Sequence, residues 1–408
     1  MTAPAALRQA PLAAPPRIAT APTAFASRWP CFEADEIEAV AAVLASGRVN
    51  ALVHGDETRA FERAFADFVG VEHAIAVANG TLALELALHA LGIGRGDEVI
   101  VPARSFFATA SCVAAVGATP VFADIDPGSQ TIAPDSAARM IGPRTRAIVC
   151  VHLSGWPCDM ARLRELCDAA GVFLVEDCAQ AHGAAIHGRR VGSFGDIAAF
   201  SFCTDKIMST GGEGGMVTTA DRALWARAWA YKDHGKDPDR LRTATPGNAF
   251  RYMHDSFGSN FRLTEMQAAI GRRQLAKLPV WLRRRQANAE ALRAALRDHP
   301  AIECPPIPDG TTPAWYRCNV QVRPAALPHG LGVEDVVGRL RAQGIACASG
   351  GCPDMSRETA FRGRHVRTDG GLPVAQQVAA RNIMFAVDHS FEPQTMVAVA
   401  GALRGVLD

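Results

Sequence analysis

The sequence predicts an α/β protein whose large domain has a mainly parallel sheet flanked by helices, followed by a small C-terminal α+β domain. Two observations predict this fold. Between residues 74 and 218, short apolar segments typical of strands alternate with helical segments, which favours a parallel sheet covered on both faces. After Gly258 the pattern changes to two long helical segments and then to mixed strand and helix signals.

The spacing of apolar residues predicts the individual helices and strands along the chain. Helices are predicted at 33–46 and 58–69, where apolar residues recur on one face. Strands are then predicted at 74–78, 98–101, 120–124, 147–152, 173–176, 197–202 and 215–218, with helices at 82–91, 105–116 and 160–170 among them. The two long helices are expected at 264–278 and 280–296, followed by a strand at 316–322 and helices at 333–343 and 393–405.

Three regions are expected along the chain. Residues 1–28 are rich in Ala and Pro and lack the continuous apolar core of a signal peptide, so we expect a disordered or loosely attached tail. The large domain is predicted over residues 29–270 and the small domain over residues 271–408.

Composition excludes several classes of protein. The chain has 408 residues and a formal net charge of +1, so neither nucleic acid nor an anionic membrane is expected as a partner. It lacks an apolar stretch of about 18 residues, so no transmembrane helix is expected. Eleven cysteines without a Cys-x-x-Cys pair predict no metal site and no secreted disulfide framework. Free thiols are typical of a cytoplasmic protein.

Two motifs at predicted strand ends suggest a bound ligand. The segment 78–81 (Ala-Asn-Gly-Thr) joins a strand to a helix, where free N–H groups and a hydroxyl suit a phosphate. Asp177 follows a strand at the edge where open α/β sheets bind ligands, and its carboxylate could hold a protonated ring nitrogen. An ordinary turn at 78–81 and a helix cap at Asp177 are the alternatives.

Two further segments contain candidate functional residues. Lys206 lies between an apolar strand and the glycine-rich turn 211–215, an unusual place for a surface charge. A lysine in a cleft can form a Schiff base, although a solvated loop lysine is the alternative. The segment 258–262 precedes a long helix and either caps it or reaches a ligand.

Together with segments 94–102, 117–122, 179–184 and 262–271, these motifs resemble the DegT/DnrJ/EryC1/StrS family of sugar aminotransferases. The resemblance extends from about Phe32 to the C-terminus. It implies PLP fold type I, with a mainly parallel seven-stranded sheet in the large domain. It also implies pyridoxal 5'-phosphate (PLP) as the cofactor.

The resemblance implies a role for each matching residue. Lys206 matches the Schiff-base lysine, and Asp177 matches the partner of the pyridine nitrogen. Gln180 matches the group that faces the phenolic oxygen of the ring, and Phe106 the aromatic ring stacked on it. The expected phosphate ligands are Thr81, the backbone of Leu82, Ser201 and, from the second subunit, Asn260. Active sites shared across a homodimer are therefore expected.

The reaction implied is transfer of an amino group from L-glutamate to a nucleotide-linked keto-sugar, giving an amino-sugar for a surface polysaccharide or a natural product. A keto-cyclitol aminotransferase is the alternative. Two remote alternatives are a cysteine desulfurase, which Cys347 and Cys352 raise, and a PLP-binding regulator without activity. Sugar dehydratases of the family have a histidine in place of the lysine, so Lys206 argues against a dehydratase.

Three positions depart from the family pattern. Thr204-Asp205 precedes the lysine in place of a Pro-Thr pair, Ala103 stands where a hydroxyl residue is expected, and Asp388-His389 replaces a His-Pro pair. The expected cofactor ligands are intact, so the first change does not threaten PLP binding, whereas the other two bear on the sugar pocket.

Overall fold

Helices cover the large sheet on both sides. Its strands therefore bury both faces and are apolar on each. The computed structural model describes residues 25–243, 253–327, 331–363 and 366–408. Alternate residues of β1 (His73–Val77) face opposite sides: Ile75 and Val77 pack in one apolar cluster, Ala74 and Ala76 in another.

The other strands of the first part of the chain are β2 (Glu98–Pro102), β3 (Thr119–Ala123), β4 (Thr145–Val151), β5 (Phe173–Asp177), β6 (Ala185–Ile186), β7 (Arg189–Arg190), β8 (Ile197–Ser201) and β9 (Gly215–Thr219). The later strands are β10 (Ile302–Glu303), β11 (Thr311–Thr312), β12 (Cys318–Val322), β13 (Cys347–Ala348), β14 (Arg367–Thr368) and β15 (Asn382–Phe385).

The helices are α1 (Ala34–Ser46), α2 (Asp56–Val69), α3 (Gly80–Ala90), α4 (Ala108–Ala115), α5 (Pro134–Met140), α6 (Met160–Ala170), α7 (Arg222–Lys232), α8 (Pro238–Thr243), α9 (Glu265–Leu296), α10 (Val333–Ala342), α11 (Pro373–Ala379) and α12 (Pro393–Leu407). No helix in the described ranges is long and apolar enough to cross a bilayer.

The large sheet has the strand order β1-β9-β8-β5-β4-β2-β3-β14. Its pairs are parallel from β8 to β14, whereas β9 runs antiparallel to both β1 and β8. Seven of these strands match the expected seven-stranded sheet. The eighth, β14, comes from the C-terminal part of the chain and has two residues, too few for any periodic signal in the sequence.

One long helix corrects the prediction of two. We expected a break at Pro279, but α9 continues through this proline. An interior proline costs a helix about 3 kcal/mol. Packing of α9 against α1, α2 and α12 supplies the compensating burial, with Leu275, Leu278 and Trp281 buried on either side of the proline.

The C-terminal part builds a second, antiparallel sheet in the order β10-β12-β15-β13, with α10 and α12 packed beside it. The predicted boundary between residues 270 and 271 falls within α9, and the division into two domains stays a prediction. Of the predicted tail, residues 1–24 lie outside the described residues. In the remainder, the Ser27 hydroxyl donates to Asp388 at 2.6 Å, so contacts with the C-terminal part begin before residue 29.

Candidate active site

A cavity of about 870 Å³ lies where the parallel strands of the large sheet end. Loops after β1, β2, β4, β5 and β8 meet there, because parallel strands end at one edge. Residues of the C-terminal part, including Tyr316, Asn319 and Gly350, close the other side. Seven of the expected site residues line this cavity: Thr81, Leu82, Phe106, Asp177, Gln180, Ser201 and Lys206.

The first corner of the cavity is the start of α3. Asn79 caps this helix, since its Oδ1 accepts a hydrogen bond from the Leu82 N–H at 2.9 Å. This bond occupies the amide that the resemblance assigned to phosphate. Gly80 is required here, because a Cβ on it would lie 2.5 Å from the Cβ of Ser201. The helix start and the Ser201 hydroxyl therefore meet at one point, which suits an anion.

Asp177 lies on the cavity floor at the end of β5 and is 4% exposed. Its Oδ2 accepts from the Thr109 hydroxyl at 2.9 Å, and its Oδ1 accepts from the Ala179 N–H at 3.1 Å. Burial raises the pKa of Asp177, while these hydrogen bonds and the charge of Lys206 act in the opposite direction. A cationic partner would stabilise the carboxylate further.

The sequence did not indicate Thr109. It lies inside α4, and its hydroxyl also contacts Ser105 Oγ at 3.1 Å. A threonine in a predicted helix gives no signal of this kind, because its hydroxyl usually bonds to the backbone of its own helix.

Lys206 reaches the cavity beside an acid and an aromatic ring. Its Nζ lies 3.7 Å from Asp205 Oδ1 and 4.9 Å from the centre of the Tyr316 ring. The Tyr316 hydroxyl donates to Asp205. Burial would raise the pKa of Asp205, but Lys206 and this hydroxyl hold it below its usual value. Tyr316 comes from the distant C-terminal part, so sequence spacing could not indicate it.

Gln180 is oriented by a hydrogen bond from the Ser154 N–H to its Oε1, 2.7 Å long. The side-chain NH₂ of Gln180 is thereby left as its donor group. Ser154 in turn accepts from Asn319 Nδ2 at 2.9 Å through its hydroxyl. Phe106 lines the cavity with 65% of its surface exposed, which leaves an aromatic face open to a flat ligand.

Asn260 does not line the cavity. It is exposed, pairs through its backbone with Asp233 and accepts a long hydrogen bond of 3.4 Å from the Arg262 N–H. Within one chain, Asn260 is therefore not among the residues that line the cavity, although its segment runs beside the end of β1, where the Ala78 N–H donates to the Phe261 carbonyl at 2.9 Å.

The buried group of His152, Glu176 and Cys178 has donor atoms close enough for a metal, but its arrangement is structural. The Glu176 carboxylate accepts from the N–H groups of Gly192, Phe194 and Gly195 and contacts His152 Nε2 at 3.0 Å. These bonds use its lone pairs to anchor the loop before β8.

The groups around the main cavity fit PLP. A buried carboxylate suits a protonated pyridine nitrogen, a lysine amine suits the aldehyde, and hydroxyls at a helix start suit the phosphate. The exposed ring of Phe106 offers a stacking surface for the pyridine ring.

Comparison with known proteins agrees with this geometry. A model of the DegT/DnrJ/EryC1/StrS aminotransferase family matches residues 30–404. The chain belongs to this family of aminotransferases. It is 36% identical, over 90% of both chains, to the Streptomyces venezuelae protein named dTDP-3-amino-3,4,6-trideoxy-alpha-D-glucose transaminase.

Two other relatives extend the comparison. The chain is 38% identical to the L-glutamine:2-deoxy-scyllo-inosose aminotransferase of Streptomyces kanamyceticus, over 77% of this chain and 74% of that protein. The X-ray structure of an aminotransferase from Psychrobacter cryohalolentis superposes with a TM-score of 0.90 at 43% identity, covering 94% of this chain and 98% of that one. The family and the PLP fold type I inferred from the sequence are thus confirmed.

Proposed function

We propose that this aminotransferase uses PLP to transfer an amino group from L-glutamate to a nucleotide-linked keto-sugar, giving an amino-sugar. The observation that carries the proposal is that Lys206, Asp177 and Ser201 line one cavity at the ends of neighbouring strands. The S. venezuelae relative, named as a dTDP-sugar transaminase, supports the sugar substrate.

When bound, PLP would supply a ring that delocalises the electron pair left as a proton leaves the amino-bearing carbon. Lys206 would hold the cofactor through Nζ and, once released, would move the proton to and from that carbon as a free amine. Asp177, fixed by Thr109 and Ala179, would keep a proton on the ring nitrogen.

Other residues of the cavity would hold the cofactor in place. Thr81, Ser201 and the start of α3 would bind its phosphate, with the Leu82 amide already engaged by the Asn79 cap. Phe106 would cover one face of the ring. Gln180, whose Oε1 is occupied by Ser154, would donate its amide hydrogen to the phenolic oxygen.

The cavity wall suits a substrate with many hydroxyl groups. Gln130, Ser154 and Asn319 line it with neutral amides and a hydroxyl, which can both donate and accept. A keto-cyclitol carries the same hydroxyl chemistry, and the S. kanamyceticus relative keeps a cyclitol substrate as the second candidate.

The cysteines do not favour desulfurase chemistry. Cys352 lines the cavity, but burial together with the Glu358 carboxylate raises its pKa to about 11. Cys347 is buried in β13, and burial raises the pKa of its thiol too. A desulfurase needs a reactive thiolate, and its pKa must be lowered rather than raised.

We also propose that two chains share their active sites in a cytoplasmic homodimer. The side chain of Asn260 is exposed and is engaged by one long hydrogen bond from the Arg262 N–H, so it would reach a neighbouring subunit by giving up little, as the family resemblance implies. The eleven cysteines are free thiols, which suits a reducing compartment.

Borohydride trapping tests the proposed function. The chain has four lysines, and only Lys206 lines the cavity. Reduction of the PLP-loaded protein followed by peptide mapping should find the cofactor on Lys206. Lys206→Arg should abolish the adduct and all amino transfer, whereas Lys277→Arg, a matched change on α9, should preserve both.

L-Glutamate added without sugar should yield about one equivalent of 2-oxoglutarate per site, because Lys206 can complete the first half of the reaction alone. An adduct on another lysine, or alanine and persulfide formed from cysteine in place of 2-oxoglutarate, would contradict the proposal.

A further inference from the structure

Arg104 follows β2 and carries a buried positive charge into the wall of the cavity. It is 2% exposed. Its Nε donates to Gln130 Oε1 at 3.1 Å, and Nη1 donates weakly to the Gly351 carbonyl at 3.4 Å. Within the described ranges it forms no ion pair, although Asp177, Asp205, Glu213 and Glu358 line the same cavity. Both acceptors of its hydrogen bonds are therefore neutral.

A network of neutral amides continues from this arginine. Gln130 Nε2 donates to Asn382 Oδ1 at 2.7 Å, and Asn382 Nδ2 donates to Asn319 Oδ1 at 3.3 Å. Asn319 then donates to Ser154, whose N–H holds Gln180. The network fixes the guanidinium relative to the cofactor site without supplying a negative charge.

The loop opposite is shaped around the arginine. Gly350 has a φ of 115°, and a Cβ on it would lie 2.4 Å from Arg104 Nη2. A side chain at this position would therefore displace the guanidinium from the cavity wall. The fold thus holds Arg104 in place from both the large sheet and the C-terminal part.

The cofactor phosphate does not account for this charge. Its expected ligand Ser201 ends β8, which is separated from β2 by β5 and β4. Three strand spacings of about 4.8 Å make about 14 Å along the sheet. A buried cation without a counter-charge is costly unless an anion joins it when the site is filled.

We propose that Arg104 binds a carboxylate of the substrate and so determines which substrates enter the cavity. A guanidinium fixed in one plane matches a carboxylate through two parallel hydrogen bonds. Burial lowers the pKa of Arg104 to about 10, which leaves it charged at neutral pH. The inference rests on the proposed function, because the carboxylate belongs either to the amino donor or to an acidic keto-sugar.

Binding to the PLP-loaded protein separates these two sources. The variants are Arg104→Gln, which removes the charge but keeps a polar group, Arg104→Lys, which keeps the charge, and Arg139→Met, which removes an exposed cation elsewhere. Calorimetry would use glutarate as an unreactive donor analogue, and UDP-glucuronate against UDP-glucose as a matched pair with and without a carboxylate.

If the donor carboxylate binds here, Arg104→Gln should lower the affinity for glutarate by about tenfold or more. The L-glutamate concentration that gives half-maximal 2-oxoglutarate formation should rise in parallel. If the sugar carboxylate binds here, the variant should instead lose a preference for UDP-glucuronate over UDP-glucose. Arg104→Lys should lose less, and Arg139→Met should match the wild type in both arms.

Unchanged binding of glutarate and of both nucleotides by Arg104→Gln would overturn the inference. Should that variant fail to fold, the wild-type protein still tests it, since either glutarate must bind about tenfold or more tightly than its diamide, or UDP-glucuronate about tenfold or more tightly than UDP-glucose, and the absence of both preferences would overturn the inference. Borohydride trapping on Lys206 in each variant shows whether the cofactor site is intact, so failure of the proposed function would be recognised separately.

Discussion

His182 is fully buried among Phe65, Phe200 and Phe202. Among the described residues neither ring nitrogen forms a hydrogen bond of regular geometry, and only the Ser201 backbone favours the protonated ring. Burial, reinforced by the charges of Lys206 and Arg285, lowers its pKa to about 3. The folded protein therefore keeps this imidazole neutral far below the pH at which an unfolded chain would protonate it.

The sign of the pH dependence follows from this difference. Because the folded pKa is lowered, the unfolded state binds the extra proton first as pH falls below about 6.5, and stability is lost down to the folded pKa. His182→Met should remove this loss. Between pH 7 and pH 5 its free energy of unfolding, from urea titrations, should gain about 2 kcal/mol relative to the wild type. Parallel pH profiles for the two proteins would contradict this.

The residues that sequence alone indicated share one property: they directly follow strands or begin helices. Asp177, Lys206 and Thr81 could be found because chain order places them at the edge where strands end. Tyr316 and Arg104 could not, since their importance depends on contacts between segments more than 100 residues apart.

At the scale of elements, local sequence patterns predicted most of the large sheet but not the close contact at the start of α3. Periodicity predicted the strands and helices of the large sheet closely, because their burial on two faces leaves continuous apolar segments. It failed at Pro279, where packing along α9 outweighs local propensity. It also could not reveal how near Gly80 approaches Ser201, which depends on the arrangement of two strands.

Gly80→Ala should weaken cofactor binding. A Cβ 2.5 Å from that of Ser201 forces the helix start and the hydroxyl apart, and both are expected phosphate ligands. Titration of the cofactor-free protein with PLP, followed by absorbance, should show a loss of affinity of about tenfold or more. Gly338→Ala in α10, where a Cβ meets nothing within 4 Å, should bind PLP as the wild type does. Equal affinities for both variants would argue against a tight contact at Gly80.

At the scale of the whole molecule, one chain holds an incomplete set of the expected ligands. Seven of them line the cavity, whereas Asn260 lies outside it on an exposed segment. A two-fold dimer that brings this segment to the neighbouring cavity would complete both sites at once.

Mixing two inactive variants tests this arrangement. Lys206→Ala and Asn260→Ala chains should regain activity when allowed to exchange, because each hybrid dimer contains one site with both residues. Equal mixing gives at most about a quarter of the wild-type activity, since half of the dimers are hybrids with one complete site each. Native mass spectrometry would verify exchange. Hybrid dimers without recovered activity would exclude the shared site.

The short strand β14 covers one edge of the large sheet and is among the last strands to be synthesised. It pairs with β3, and Arg367 also bonds to Glu98 on β2. During translation, the β3 edge of the large sheet therefore stays unpaired until nearly the whole polypeptide has left the ribosome. A fragment that stops at residue 270 would display that edge permanently, and it should self-associate through β3 where the intact chain does not.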